Sequence, residues 1–284
     1  MSDLSEKDDT LSPDKYTFDA FKGFRYADLK LWFKNQGYLG IVVLLVILSA
    51  WEISSRAGLI KLTILPSPFT ILGTFWSMIL NGELIRHLGI SIFRVLQGFA
   101  YGASLGIIFG ILIGLFKKVE QSFAVIFGFL RPIPIIAWMP VLILWMGIDE
   151  GSKVTVIAIG SFWPVLLNVI NGIKNVDRRY LEVARILEKN KLQTLTKVVL
   201  PSALPSIFTG LRVGIGIAWM CVVSAELIAA SSGIGYLIMY SRELLQSDVM
   251  FVGVFSIGIT GLLIDKILKT VERKLLKWNV NVTN

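Results

Sequence analysis

Long apolar runs constrain this chain more than any other feature of its sequence. The run from Tyr38 to Ala57 is YLGIVVLLVILSAWEISSRA, and comparable runs recur through the rest of the 284 residues. About 20 apolar residues in a helix cross the hydrocarbon core of a bilayer, which is about 30 Å thick. Hydrophobic residues make up 54% of the chain and charged residues only 17%, whereas soluble domains carry about 25% charge. The sequence therefore predicts an all-α, polytopic integral membrane protein.

These runs predict about six transmembrane helices, so that both chain ends lie on one side of the membrane. The predicted spans are Tyr38 to Ala57, Ile90 to Phe116, Val119 to Met146, Val154 to Ile173, Leu204 to Ala230 and Val249 to Leu268. Residues 66–88 are only moderately apolar, and we predict an amphipathic helix near the membrane surface there. The chain thus divides into a polar segment (1–37), one membrane domain (38–277) and a short tail (278–284).

The distribution of basic residues predicts the orientation of these spans. Twenty of the 28 Lys and Arg residues fall in the leader, the tail region and the loops on the same side, and five fall on the other side. Positive charge favours the cytoplasmic side, so we predict cytoplasmic N- and C-termini. The net charge of +8 requires no nucleic-acid partner, because the basic loops lie beside anionic lipid headgroups.

Composition and motifs exclude several function classes. Cys221 is the only cysteine and His87 the only histidine, which predicts no metal site, and we expect His87 to be solvated on a surface loop. The phosphate loop GxxxxGK[ST], HExxH and GxSxG are all absent from the sequence, so we predict neither an enzyme nor a cofactor bound by this chain. An inverted internal repeat, which would favour a secondary transporter, is not visible.

Five glycines recur at every fourth residue of the second predicted span. The stretch GFAYGASLGIIFGILIG places Gly98, Gly102, Gly106, Gly110 and Gly114 on one stripe of a helix. Small residues at this spacing let two helix backbones approach closely in a membrane. The stripe is either a packing face within one subunit or a face that slides during function.

The third predicted span contains three prolines, and we predict that its helix is kinked or broken. Pro132, Pro134 and Pro140 lie within FGFLRPIPIIAWMPVLILWM, and each proline removes a backbone donor. Broken helices often line substrate paths, although a kink for packing alone is the alternative. Arg131 either lines the path or reaches the cytoplasmic headgroups.

Buried polar groups in the spans are further candidates for a substrate path. Glu226 is the costliest of them to bury as a charge, so we expect it to face a partner or water. The alternatives to a path-lining position are an interhelical salt bridge and a position near the outer rim. We hypothesise that Trp138 and Met139 narrow the path beside Pro140. The candidate path and gate residues are Arg94, Arg131, Trp138, Met139, Pro140, Trp219 and Glu226.

The loop of residues 174–203 is the most charged internal segment. Tyr180, Val183, Ala184 and Leu187 fall on one face of a predicted short helix, with charged residues opposite. A second helical segment, about Leu192 to Leu200, is predicted to stop at Pro201, so that LPSALP forms a rigid corner. The segment is either a rigid element that transmits movement to the fifth span or an amphipathic loop lying on lipid headgroups.

This loop resembles the EAA motif of ABC importer permeases. In EVARILEKNKLQTLTKVVLPSALPSIFTGLR, Glu182 and Ala184 match the motif's first and third positions, and Leu200 and Pro201 match its terminal pair. Val183 replaces the second alanine, and Glu188 stands where glycine is usual. Two further stretches resemble permeases for sulfonate, taurine, nitrate and bicarbonate: LRPIPIIAWMPVLILWMGIDEGSK and SAELIAASSGIGYLIMYSRELLQSDVMFVGVFSIGITGLLID. The second stretch is more similar to the sulfonate and taurine permeases.

The resemblance implies a type I ABC importer permease in the bacterial cytoplasmic (inner) membrane. It implies two copies of this subunit, two cytoplasmic ATPase subunits that bind ATP and Mg²⁺, and an extracytoplasmic substrate-binding protein. The residues implied in ATPase coupling are Tyr180, Glu182, Val183, Ala184, Leu187, Glu188, Leu200 and Pro201. The alternatives are a nitrate or bicarbonate importer, an ATP-independent channel or facilitator, and a membrane sensor or assembly protein that binds an ATPase without transport.

Overall fold

A computed structural model describes residues 26–58, 61 and 63–276. Across these ranges the chain forms helices and turns and contains no strand, which confirms the predicted all-α class. It divides into two compact units, residues 1–60 and 61–284. Most of the predicted polar leader and the whole of the predicted tail lie outside the described residues.

The described residues of the first unit form one long helix, α1 (Tyr26–Arg56). This helix covers the first predicted span almost entirely but begins 12 residues earlier. The side chains from Ile41 to Ile47 are exposed, as is usual for a lipid-facing helix. Near its end, Arg56 forms an ion pair of 2.5 Å with Glu52 one turn earlier.

The second unit contains the remaining helices. They are α2 (Pro68–Leu80), α3 (Glu83–Leu115), α4 (Lys117–Leu130), α5 (Met139–Met146), α6 (Glu150–Lys174), α7 (Arg178–Ile186), α8 (Lys191–Thr194), α9 (Leu200–Ala229), α10 (Ile234–Glu243) and α11 (Ser247–Leu275). A 3₁₀-helix, Ile135–Trp138, precedes α5, and a π-helical turn, Leu195–Val199, joins α8 to α9. Among the described residues, four helical segments are long and apolar enough to cross a membrane, or five if one bent pair counts as a span. The first predicted span falls on α1, and the other five fall on these segments.

The prediction of one amphipathic helix over residues 66–88 was only partly right. Helix α2 begins after Ser67, whose Oγ accepts a hydrogen bond of 3.2 Å from the Thr70 amide, and Pro68 occupies its first turn. Gly82 then adopts a left-handed conformation with φ of 78°, which ends the segment because such a φ breaks a right-handed helix. Residues 83–88 therefore belong to α3.

Helix α6 lies at the centre of the second unit, between α3 and α9, and the glycine stripe of α3 packs against it. A Cβ added at Gly102 would lie 2.2 Å from the Ala158 carbonyl oxygen, and one added at Gly110 would lie 2.6 Å from the Val169 Cβ. Helix α9 also packs on α6, where a Cβ at Gly210 would lie 2.7 Å from the Asn168 Cβ. The stripe is thus a packing face within the subunit, as the first of the two interpretations held.

The third predicted span is broken, as its prolines predicted. Helix α4 ends at Leu130, and the chain turns through Arg131 to Pro134 before the 3₁₀-helix begins. The two halves are bent by 87°. The break coincides with Pro132 and Pro134 because neither nitrogen can donate to a helical carbonyl.

Helix α10, between the fifth and sixth predicted spans, was not predicted from the sequence. It begins directly after Gly233, which has φ of 109°, and its residues Ile234, Gly235, Leu237 and Ser241 are buried. Ten residues are too few to cross a bilayer, and hydropathy therefore gave no signal for it.

Candidate functional site

Helix α7 forms one wall of a surface groove in the predicted coupling loop. The Asp177 carboxylate caps its start by accepting a hydrogen bond of 2.9 Å from the Arg179 amide. Tyr180, Val183, Ala184 and Leu187 face the groove together, as the helical spacing predicted. Ala184 is buried, so the helix packs at this residue while the other three side chains remain exposed.

The opposite wall consists of the π-helical turn and the first two turns of α9. The groove has a volume of about 640 Å³. Its lining from this side is Lys197, Val198, Pro201, Ser202 and Pro205, and Lys189 lies at the end of α7. Most of the lining is apolar, and the charged groups that line it are both lysines.

The turn after α7 is a Schellman motif with Glu188 in the left-handed position. Glu188 has φ of 51°, its amide donates to the Arg185 carbonyl at 2.9 Å, and the Lys189 amide donates to the Ala184 carbonyl at 3.0 Å. These two bonds are the ones that define the motif. Glycine favours this conformation because it lacks a Cβ, which explains physically why Glu188 is an unusual residue here.

Asn190 begins the second helix of the loop with a capping box. Its Oδ1 accepts a hydrogen bond of 2.8 Å from the Gln193 amide, and the Gln193 Oε1 accepts one of 3.3 Å from the Asn190 amide. Such reciprocal bonds satisfy two amides that a helix start leaves unpaired. The turn between the two helices is therefore closed by local bonds on both sides of Glu188.

The predicted corner at LPSALP was wrong, because the helix continues through it. The π-helical turn Leu195–Val199 leads directly into α9, with the Leu200 amide bonded to the Leu195 carbonyl. Pro201 lies in the first turn of α9 and Pro205 inside it. A π-helical turn widens the backbone just before Pro201, which leaves room for a ring that would otherwise crowd the preceding turn.

The remaining predicted coupling residues lie near this groove without lining it. Glu182 is exposed on the charged face of α7, and Leu200 is half-buried at the start of α9. Glu188 is exposed at the apex of the turn. The groove thus combines five of the eight predicted coupling residues.

A separate cluster of polar side chains lies within the helix bundle and centres on Arg94 of α3. Its Nη1 donates to Glu226 Oε1 of α9 at 2.8 Å. Its Nε and Nη2 both donate to the Glu150 carboxylate of α6, each at 2.6 Å. Arg94 and Glu226 are buried, so the interhelical salt bridge considered for Glu226 is the arrangement observed.

The loop that precedes α10 completes this cluster. The Ser232 carbonyl accepts a bond of 2.7 Å from Arg94 Nη1, and the Gly235 amide donates to Glu226 Oε2 at 2.9 Å. Ser91 Oγ donates to both Glu226 oxygens, at 2.8 and 2.9 Å. Among the described residues, every buried side-chain nitrogen and oxygen has a hydrogen-bond partner, which is the condition under which buried charge is tolerated.

The expectation that His87 is solvated on a surface loop was wrong. His87 lies in α3 and is buried, and its Nδ1 accepts a hydrogen bond of 3.0 Å from the Gly233 amide. Its helix starts seven residues earlier than hydropathy indicated. A lone histidine among polar neighbours gave no signal for a partner 146 positions away.

The other predicted path residues are distributed around the break in the third span. Arg131 and Pro140 are exposed, and Met139 is buried. Trp138 lines a cavity of about 400 Å³ with aromatic side chains of α3, α4 and α6. Trp219 is buried in α9, and its Nε1 donates to the Ile257 carbonyl at 3.2 Å. Their role in a path remains a prediction.

Residues 104–277 match the family described as "Binding-protein-dependent transport system inner membrane component". The chain belongs to this family. It is similar to the aliphatic sulfonates transport permease protein SsuC of Bacillus subtilis (strain 168), with 44% identity over 86% of this chain and 89% of the relative. It is also similar to the nitrate import permease protein NrtB of Synechocystis sp., with 36% identity over 81% of this chain and 86% of the relative.

A solved structure of the inward-facing MetNI methionine ABC transporter has the same fold. The TM-score is 0.61 at 17% identity, covering 71% of this chain and 96% of that chain. The permease therefore has the type I ABC importer fold and is a multi-pass inner-membrane protein of the sulfonate, taurine and nitrate family. Its relatives are transport permease proteins. In the part of the chain that the structure describes, no group of three or more His, Cys, Asp or Glu residues could hold a metal ion.

Proposed function

We propose that two copies of this permease form the membrane pathway of an ATP-driven importer for aliphatic sulfonates, taurine included. Two cytoplasmic ATPase subunits bind ATP and Mg²⁺, and an extracytoplasmic binding protein delivers the substrate. The observation that carries the substrate class is the 44% identity with a sulfonate permease, against 36% with a nitrate permease. A second copy would cover part of α4, none of whose residues is buried in one copy.

The substrate class is tested in proteoliposomes that contain the permease, its ATPase and its cognate binding protein. We expect ATP-dependent uptake of labelled taurine or a short alkanesulfonate, and no competition by nitrate or bicarbonate. Uptake of nitrate or bicarbonate in preference to sulfonate would contradict the proposal and favour the alternative substrate within the same family.

The groove between α7 and α9 is proposed as the surface that couples the permease to the ATPase. Tyr180, Val183 and Leu187 are exposed there although they are apolar, and an exposed apolar surface of this kind suits a protein partner. A segment of one protein lying in an apolar groove of its partner is a common recognition mode. Closure of the ATPase pair would then move α7 and the joined helix α9.

Coupling is tested by Val183→Glu, with Ile186→Glu as the matched control. Both side chains are exposed apolar residues of α7, but only Val183 lines the groove. We expect Val183→Glu to abolish ATP-dependent uptake and Ile186→Glu to retain most of it. Ala184→Asp, which places a carboxylate at a buried site, should act in the same direction. Equal uptake by all variants would contradict the proposed coupling surface.

The competing class, an ATP-independent channel or facilitator, gives a different result in the same liposomes. Sulfonate uptake that proceeds without any ATPase subunit would overturn the importer proposal. Binding of the ATPase without any substrate flux would instead favour a sensor or assembly protein.

The path itself is proposed to pass beside the break in the third span. Trp138 and Pro140 lie next to this break, and Arg94, Arg131, Met139, Trp219 and Glu226 remain the other proposed path or gate residues. Replacing Trp138 and Met139 together by alanine should increase substrate leak through liposomes. Unchanged leak and unchanged ATPase coupling would remove both residues from the gate.

A further inference from the structure

The groove between α7 and α9 carries a charge pattern that its apolar lining does not explain. Lys189 lines it from the end of α7, and Lys197 lines it from the π-helical turn. Neither ammonium group forms an ion pair with any residue that the structure describes. By contrast, Lys174 nearby in sequence is paired with Glu120 at 2.5 Å.

Acidic residues of the same loop do not neutralise this pair of lysines. Glu182 belongs to the charged face of α7 and does not line the groove. Glu188 is adjacent to Lys189 in sequence, but it too is absent from the lining. An apolar groove with two unpaired ammonium groups is complementary to an apolar segment that carries a carboxylate.

We propose that this groove receives a segment of the ATPase subunit in which an Asp or Glu side chain lies beside apolar side chains, and that Lys189 and Lys197 bind the carboxylate. This inference rests on the proposed function, in which the same loop docks the ATPase. It adds the chemistry of the partner segment and the two residues that select it.

The size of the groove suits a segment of a protein partner. A volume of about 640 Å³ accommodates several side chains and is within the usual range for binding pockets.

The test uses the full permease in lipid nanodiscs and its purified ATPase subunit. Lys189→Met and Lys197→Met keep most of each apolar stem and remove the charge, and Lys191→Met is the matched control because Lys191 does not line the groove. We expect the double methionine variant to bind the ATPase about tenfold more weakly, and the control to change less than twofold. The salt dependence of binding should also become shallower in the double variant only.

The variant Val183→Glu separates failure of this inference from failure of the proposed function. If Val183→Glu abolishes ATPase binding while the double methionine variant binds as the wild type does, the charge inference is overturned and the docking surface survives. If both variants bind as the wild type does, the proposed docking surface fails as well. Loss of phosphatidylglycerol from the double variant in native mass spectrometry, with unchanged ATPase affinity, would assign the lysines to lipid and overturn the proposal.

Discussion

Glu188 occupies a backbone conformation that costs an L-residue free energy. With φ of 51°, its Cβ approaches the following carbonyl, a penalty of roughly 1–2 kcal/mol. Its side chain is exposed and forms no hydrogen bond or ion pair within the described chain. The two backbone hydrogen bonds of the Schellman motif hold Glu188 in this conformation, and their free energy offsets the steric penalty.

Glu188→Gly should therefore stabilise the end of α7. We expect a gain of about 1 kcal/mol, because glycine adopts positive φ without a steric penalty. Hydrogen exchange of the segment 178–190, followed by mass spectrometry in nanodiscs, should slow roughly fivefold. Glu188→Ala is the control, since it removes the charge but keeps the Cβ. Equal slowing in both variants would show that charge, and not φ, governs this turn.

The Arg94 cluster predicts a second residue-level effect. Arg94→Met leaves the Glu226 carboxylate buried with only Ser91 and the Gly235 amide as donors. Breaking one side of a buried ion pair typically costs 3–5 kcal/mol, so we expect a large fall in the melting temperature of the purified permease. The double variant Arg94→Met/Glu226→Gln should lose less, because position 226 then no longer carries a buried charge without its partner. A double variant that is less stable than the single one would contradict this account.

At the scale of helices, the close contact between α3 and α6 depends on missing side chains. An added Cβ at Gly102 would lie 2.2 Å from both the Ala158 carbonyl oxygen and the Ser161 Oγ. The backbone at Ala158 cannot rotate away as a side chain could. The two helices must therefore separate before any larger residue fits.

Gly102→Ala should destabilise the permease by about 1–3 kcal/mol, the usual cost of overpacking. Gly89→Ala is the matched control in the same helix, because an added Cβ there has no atom within 4 Å. It should be neutral or slightly stabilising, since alanine favours helix over glycine by up to about 1 kcal/mol. The fraction of monodisperse protein after heating, measured by fluorescence-detected chromatography, distinguishes the two. Equal loss in both variants would refute the contact argument.

Elements whose signal is local were predictable from the sequence, and those that depend on distant partners were not. The runs of apolar residues located the membrane helices, and Pro132 and Pro134 located the break. The predicted helix end at Pro201 was wrong because the rule for proline considers only the adjacent residue. In the structure, the π-helical turn before Pro201 makes room for its ring. Arg94 and Glu226 were recognised as costly groups, but a separation of 132 positions hid their partnership.

For the whole molecule, the strongest test concerns its orientation in the membrane. Helix α9 has 30 residues and is about 45 Å long at 1.5 Å per residue, which exceeds the hydrocarbon core of about 30 Å. The coupling loop before it and the end of α10 after it should therefore face opposite sides.

Cysteine labelling tests this orientation with little background, because the native Cys221 is buried. A membrane-impermeant maleimide should label Lys191→Cys only in inside-out vesicles and Glu243→Cys only in right-side-out vesicles. Both positions are exposed, so access to the reagent depends on the side of the membrane. If both cysteines were labelled from the same side, the prediction that α9 crosses the membrane and that the basic loops are cytoplasmic would be wrong.

Because the chain runs without a corner from the capping box at Asn190 into α9, the α9 wall of the groove and Glu226 belong to one continuous helical rod. Glu226 is tied through Arg94 to α3 and through the same guanidinium to Glu150 of α6. A rod held in this way cannot turn about its own axis or slide alone without first breaking the ion pairs of Arg94 with Glu226 and Glu150. If the ATPase acts on the groove as proposed, its push should therefore tilt α3, α6 and α9 together.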